Sequence, residues 1–505
     1  MRSRSYNLKL NLITGLVQEL VAVICGLILP RIVLAYFGSA YNGIVNSITQ
    51  FMAFAVVFRS GLGAVTNAAL YKPLAEGNEK AISEIMVATK NFMNKVGLLL
   101  ILFIMGFAVF YPFLVADELD YWFSFSLVVI IGASAFVENM FSIKYKILLQ
   151  ADQKYYIQTI FTVAAQILST VFSIVLIVSG CGIHVVKIGA LLGMMSTPFM
   201  LKFYVDRHYK IDWKAKPDNI ALKSRWDAFA QQLATVVNNN VPTVIMTFFV
   251  SLGEISVYSV YYMVVHNVTK LFNSALSGIK ATFGNMIARN EMVHLQRRFS
   301  DVEFLVYTSA TIIFSTTAIL ITPFVLVYTK DVTDANYNQY WLGIFLALVS
   351  MMSVIRIPYQ LLVEAAGIFK ETRNGAFLEI ALNVLFSVVF VQLFGVIGIV
   401  IGGFVAAMVR TTQFAAISCK RVLKTSIWNV IKEYLFYIAL SVIPVALAYQ
   451  LKWLTCDSFM EWILLAVPVF GAVTVIVMMA NLIFKFNQCK NIALYLLKGR
   501  KKNGK

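Results

Sequence analysis

The segment Tyr145-Lys146-Ile147-Leu148-Leu149-Gln150-Ala151 returns 214 residues later as Tyr359-Gln360-Leu361-Leu362-Val363-Glu364-Ala365, with Tyr, Leu and Ala in matching places. The same offset lays Phe172-Ser173, Gly189 and Met194 on Phe386-Ser387, Gly403 and Met408. Nearer the N-terminus an offset of 212 lays Pro30, Ser39 and Ser47 on Pro242, Ser251 and Ser259. Ordered matches whose register drifts by only two residues describe an internal duplication, and a chain built from two like halves.

Working outward, both halves are apolar throughout. Of 505 residues, 59% are hydrophobic and 13% charged, and the mean hydropathy is +0.77. Such helices cannot face water, so they must face lipid or one another. A crossing needs about 20 mostly apolar residues. On that ruler the sequence predicts an all-α membrane protein of fourteen spans. The first six lie near 12–35, 42–68, 93–115, 122–146, 157–179 and 185–204. The second six lie near 228–250, 255–280, 302–328, 339–365, 377–393 and 396–418, and two more follow near 430–450 and 459–484. The expected organisation is a six-helix lobe over 1–210, a linker over 211–227, a second six-helix lobe over 228–422, and an added helix pair with a basic tail over 423–505.

Cytoplasmic loops of membrane proteins collect Lys and Arg. With the N-terminus inside, the inner segments hold 35 basic residues and the outer loops only Lys187, Lys330 and Lys452. Both termini are therefore expected in the cytoplasm. The net charge of +17 reads as an orientation signal and a contact with anionic lipid headgroups, not as a nucleic-acid surface. The N-terminal span, long and without a small-residue cleavage site, reads as retained. Five scattered cysteines without a CxxC pair and four scattered histidines form no metal site, disulfide framework or triad. With no phosphate-binding Gly loop followed by Lys and Ser or Thr, no ATPase and no cofactor is expected.

Function then falls to ionisable groups inside the spans, where a charge is costly. Arg59, Lys270 and Arg356 lie in the second, eighth and tenth spans, and Arg31 closes the first. At about 1.5 Å of rise per residue, the first three sit roughly 22 Å or more from the outer ends of their spans. In the eighth span Ser259, Tyr262, His266, Lys270, Asn273 and Ser277 recur at helical spacing as one polar stripe. Ser350, Ser353, Arg356, Gln360 and Glu364 do so in the tenth, and Gln231, Thr235, Asn238 and Asn239 in the seventh. The stripes read either as the lining of an aqueous cavity or as seams that hold helices together, for instance through an Arg356–Glu364 pair two turns apart. A cavity with cations in both halves suits an anionic headgroup, and a pyrophosphate fits it. Glu19, Glu138, Glu364 and Glu379 also fall in or at the edges of spans, and Glu138 and Glu364 are candidates for coupling to H+ or Na+.

The run from Pro30-Arg31-Ile32 to Gly38, with Tyr41-Asn42-Gly43, Gly61-Leu62-Gly63 and Leu70-Tyr71-Lys72-Pro73-Leu74-Ala75, resembles the opening of polysaccharide flippases. These belong to the multidrug, oligosaccharidyl-lipid and polysaccharide exporter superfamily. Leu148-Leu149-Gln150-Ala151-Asp152-Gln153-Lys154 is similar to that family's turn between the fourth and fifth spans. The resemblance implies a flippase of the bacterial inner membrane, carrying undecaprenyl-pyrophosphate-linked oligosaccharide by rocking of two lobes around a cationic cavity. A polysaccharide polymerase and glycosyltransferases are the partners it implies. The chain departs from the pattern at Arg59, where relatives often carry an acid. A peptidoglycan lipid precursor flippase or another lipid translocase suits the same cavity. A cation-coupled drug exporter, usually twelve-helical with an acidic cavity, suits it less. A membrane-embedded glycosyltransferase would need catalytic groups on a large outer loop, and the outer loops here are short.

Overall fold

The structure, a computed structural model, describes residues 4–59, 62–218, 236, 240–276, 278–450 and 455–490. Every regular element among them is helical. In chain order they are α1 (Arg4–Phe37), α2 (Ser39–Ala53), a 3-10 segment (Phe54–Arg59), α3 (Leu62–Glu76), α4 (Glu79–Leu114) and α5 (Tyr121–Val137). A π turn (Glu138–Ser142), α6 (Ile143–Ala151), α7 (Tyr155–Val178) and α8 (Ile183–His208) follow, then α9 (Asn240–Phe249). The rest are α10 (Leu252–Leu276), α11 (Ile279–Ala288), α12 (Met292–Tyr328), α13 (Tyr340–Ala365), α14 (Phe369–Phe394), α15 (Val396–Ser418) with a π turn (Cys419–Leu423), α16 (Ile427–Gln450) and α17 (Phe459–Phe484).

Eleven helices among the described residues are long and apolar enough to cross a membrane, against fourteen expected. The three shortfalls have separate causes. The span expected at 42–68 is not one helix: it breaks at the 3-10 segment Phe54–Arg59, between α2 and α3. That expected at 228–250 lies largely outside the described residues, which show only the short α9. The one at 255–280 forms α10, whose polar stripe keeps it out of the apolar class.

Left-handed residues recur at spacings close to the sequence offset. Residues with left-handed φ stand at Gly77 and Asn290, at Gln153 and Gly367, and at Gly180 and Gly395, pairs 213, 214 and 215 apart. A left-handed residue ends a helix by turning the chain out of the αR region. Gly395, at φ 57° and ψ −138°, makes the connection of α14 to α15 as short as the sequence requires, in a conformation costly for any residue with a Cβ. Glycines also admit close helix contacts in both halves. A Cβ on Gly132 would lie 2.5 Å from Ile104 Cγ2, and one on Gly343 2.6 Å from Ile321 Cγ2.

The chain divides into two compact units, Met1–Ser256 and Val257–Lys505. In the first, α7 and α8 form a hairpin, α1 lies on α7, and α3 packs on α4 and α6 around Leu70, Met86, Leu148 and Leu201. The turn after α6 is a clamp. Asn11 of α1 donates to the Gln153 carbonyl at 3.2 Å and accepts from the Tyr156 amide at 2.7 Å. Lys154 pairs with Asp152 at 2.7 Å, and the Tyr209 hydroxyl donates to the same carboxylate at 2.5 Å. The described part of the linker lies on this unit. The Asp212 amide donates to Ser83 at 3.0 Å, and the Trp213 ring takes Lys90 and Lys144 at 5.6 and 5.3 Å. On the opposite side of the unit, Gly43 meets the Leu252 backbone so closely that a Cβ would fall 1.8 Å from its carbonyl oxygen. Beside it, Asn42 donates to Ser256 and Ser47 bonds Thr247, both at 2.7 Å.

In the second unit α12 is the hub for α13, α16 and α17, over a core that includes Tyr307, Phe314, Met352, Ile355 and Tyr359. The added pair α16 and α17 is tied in by polar bonds as well as apolar packing. Asn481 donates to Thr308 at 3.0 Å and accepts from Tyr437 at 3.1 Å, and the Trp462 indole donates to the Leu320 carbonyl at 3.0 Å. Polar pairs of this kind fix helix orientation in lipid, where apolar contact alone gives little preference.

Candidate functional site

Each expected site residue has a definite place or lies outside the described set. Gln231, Asn238 and Asn239 lie outside the described residues, as does the side chain of Arg59, whose backbone closes the 3-10 segment. Arg31 is exposed on α1. Along α10, Tyr258, Tyr262 and His266 stack in succession, with ring centroids 5.6 and 5.1 Å apart. Helical spacing of four residues produces this ladder. Lys270 continues the same face and is exposed, while Asn273 turns back to donate to the Thr269 carbonyl at 3.2 Å.

The two candidate coupling acids are both paired with lysine. Glu138 opens the π turn between α5 and α6 and meets Lys146 at 3.2 Å, with half its side chain exposed. Glu364 accepts from Lys280 of α11 at 2.8 Å and from Gln360 at 3.0 Å. Gln360 and Glu364 are thus brought together on one face of α13, with a cation from the neighbouring helix.

Arg356 does not pair with Glu364. Two turns of one helix separate their backbones by about 12 Å, and the nearer carboxylate comes from another helix. Arg356 Nη1 donates to Glu379 Oε1 of α14 at 2.8 Å, and Arg410 of α15 approaches the other oxygen, Nε to Oε2, at 3.4 Å. Arg410 also donates to the Thr372 carbonyl at 2.9 Å and to Gln413 at 2.6 Å, and lies 4.3 Å over the Phe414 ring. Glu379 and Arg410 are each 8% exposed, and Arg356 Nε is buried with no hydrogen-bond partner among the described residues. Three helices therefore converge on one carboxylate and two guanidiniums. Because arginine keeps its proton in proteins, the cluster carries one excess positive charge.

Arg410 and Glu303 are two further ionisable groups within the helices, along with Lys146 and Lys280, that spacing along the sequence does not mark out. Arg410 was legible as a cation well inside an apolar run. Glu303, near the start of the span expected at 302–328, accepts a short hydrogen bond from Tyr359. It has no cation within ion-pair distance among the described residues. Unit 2 also holds a nearly apolar cavity of about 400 Å³ between α12, α13 and α16, rimmed by Tyr340, Trp341 and Tyr449. No group of three or more His, Cys, Asp or Glu among the described residues could hold a metal ion.

No family model matches the sequence, and no curated protein matches it. Solved structures do. A lipid II flippase, MurJ, in an inward closed conformation is similar at a TM-score of 0.69 and 16% identity, over 93% of this chain and 98% of its own. An inward-facing multidrug resistance MATE family transporter of the MOP superfamily is similar at 0.61 and 16% identity, over 81% and 96%. A eukaryotic MATE transporter is similar at 0.54 and 14% identity, over 86% and 99%. The likeness is one of fold: an all-α, multi-pass membrane architecture shared with MurJ- and MATE-type transporters.

Proposed function

We propose that this chain is a flippase that carries an undecaprenyl-pyrophosphate-linked oligosaccharide from the cytoplasmic to the outer leaflet of a bacterial inner membrane, for cell-surface polysaccharide synthesis. The observation that carries the reading is the excess of guanidinium over carboxylate inside a transporter fold, at Arg356, Glu379 and Arg410. Cations held in low dielectric suit a phosphate-bearing cargo. In this reading fourteen spans form two six-helix lobes and an added pair, both termini are cytoplasmic, and the lobes rock in alternating access. Arg31, Arg59, Lys270 and Arg356 receive the phosphates. The Tyr262–His266 ladder and Gln360 line the path of the sugar, and the apolar cavity of unit 2 suits a segment of prenyl chain. With no nucleotide site expected, an H+ or Na+ gradient or consumption of the product outside supplies the direction. Anionic lipids, a polymerase and glycosyltransferases are the proposed partners.

A second reading is supported by one observation. The MurJ structure covers 93% of this chain and the MATE structure above 81%, which favours lipid-linked cargo over a soluble drug and admits the peptidoglycan precursor. Deleting the gene tests both. Loss of surface polysaccharide, with lipid-linked oligosaccharide accumulating on the inner leaflet, is expected. Rescue of a strain depleted of its lipid II flippase, without any polysaccharide defect on deletion, would transfer the proposal to the second reading.

A further inference from the structure

The Arg356–Glu379–Arg410 cluster belongs to the second repeat alone. At the offset of 214 that aligns Tyr145 with Tyr359, Phe172 with Phe386 and Met194 with Met408, the first repeat carries Ser142, Ala165 and Ser196 in its place. The first repeat builds the equivalent hairpin, α7 with α8, with no charge at those three positions. The cluster is therefore not a requirement of the fold, and burying it has a cost that hydrophobic residues would avoid.

Its parts are unequal. Arg410 is held on several sides, by Thr372, Gln413, Phe414 and Glu379. Among the described residues Arg356 has one partner, Glu379, together with an unfilled Nε–H. Its side chain is 20% exposed, against 9% for Arg410. If Arg356 leaves, Glu379 keeps a cation and is not stranded. If Arg410 left, several buried acceptors would lose their donor. Arg356 is thus the group that can change partner at small cost.

We propose that this cluster is an anion-exchange site, in which Arg356 passes from the Glu379 carboxylate to a phosphate of the lipid-linked cargo while Arg410 retains Glu379. This rests on the flippase reading and deepens it. Glu379 acts as a resident competitor that holds Arg356 in place between cargoes. A phosphate monoester, like a carboxylate, offers two acceptor oxygens that a guanidinium fork can engage, with more charge, and it meets the cluster's single excess charge.

Competition gives opposite signs for the two partners, which a merely structural ion pair does not. Full-length protein in nanodiscs of neutral phospholipid is titrated with undecaprenyl phosphate, with undecaprenol as the uncharged control and inorganic pyrophosphate as the free anion. Wild type is expected to prefer the phosphate over the alcohol. Glu379→Gln, which removes the competitor, should tighten phosphate binding about tenfold, and Arg356→Gln should weaken it about tenfold, with undecaprenol binding unmoved in both. Arg356→Lys keeps the charge and should fall between. Thermal melts establish that the variants are folded, and if Glu379→Gln does not fold, the Arg356 pair alone decides by a loss confined to the phosphate. Unchanged or parallel shifts in the variants, with wild type still preferring the phosphate, would overturn the exchange site and leave the flippase reading standing. A wild type indifferent to the phosphate would overturn both. Pyrophosphate binding as tightly as the lipid phosphate would assign the site to a soluble anion and overturn the lipid-linked ligand.

Discussion

At the residue scale, Lys270 is the stripe cation that lies exposed on α10, at the end of the stacked Tyr258, Tyr262 and His266. Lys270→Ala should lower flipping of the lipid-linked glycan at least tenfold while leaving the protein in the membrane, as read by accumulation of inner-leaflet intermediate beside an immunoblot. Full complementation would reduce the stripe to helix packing. Tyr209 is a structural counterpart outside the spans. Burial, and after it the Asp152 carboxylate, holds its phenol well above the ordinary value of 10.0. The folded state thus favours the neutral hydroxyl. Its contribution is present in full below about pH 10 and is lost as pH rises through the raised value. Tyr209→Phe should cost about 1.5–3 kcal/mol, the range for a hydrogen bond to a charged group. The gap in melting temperature between wild type and variant should hold from about pH 6 to 9 and shrink above 10. A gap that widens with alkali would contradict this sign.

At the scale of elements, close approaches mark where helices cannot separate without loss. The backbone of Gly43 in α2 meets Leu252 at the start of α10. Gly43→Leu should lower stability by about 1–3 kcal/mol, the usual cost of overpacking, or drive the segments apart, seen as new reactivity of a cysteine at Ser47. Unchanged melting and reactivity would show that the contact yields freely. Among α12, α16 and α17, Asn481 joins Thr308 and Tyr437. Asn481→Leu should cost about 1 kcal/mol, in keeping with polar pairs between membrane helices, measured as a lower melting temperature in detergent.

For the whole molecule, orientation is the proposal most easily checked. A cysteine at Lys214 should resist an impermeant thiol reagent in intact cells, and one at Asp334 should react; the reverse pattern would invert the topology. Alternating access makes a further demand. A cysteine pair at Ser39 and Ser251, positions matched by the repeat, should crosslink, arrest transport and release it again with reductant. Transport that continues with the crosslink complete would remove that segment from the moving parts.

The sequence by itself determined the all-α membrane class and eleven of the apolar helices. Transfer of some 20 apolar residues into lipid is a local property of composition, and the left-handed turns at Gly77, Gln153 and Gly180 have counterparts within a residue of the side-chain offset of 214. Periodicity also placed Gln360 and Glu364 on one face of α13, because that needs only the helical pitch. The break of α2 from α3 at Phe54–Arg59 was not legible, since the run is as apolar as its neighbours. Nor were the partners of the charges. Glu364 takes Lys280 from 84 residues away and Arg356 takes Glu379 from a different helix, while Arg410 completes a cluster that no single helix contains. Spacing within one helix says which groups share a face; only the packing of α15 against both α13 and α14 decided which of them meet, and so which cation remains able to change partner.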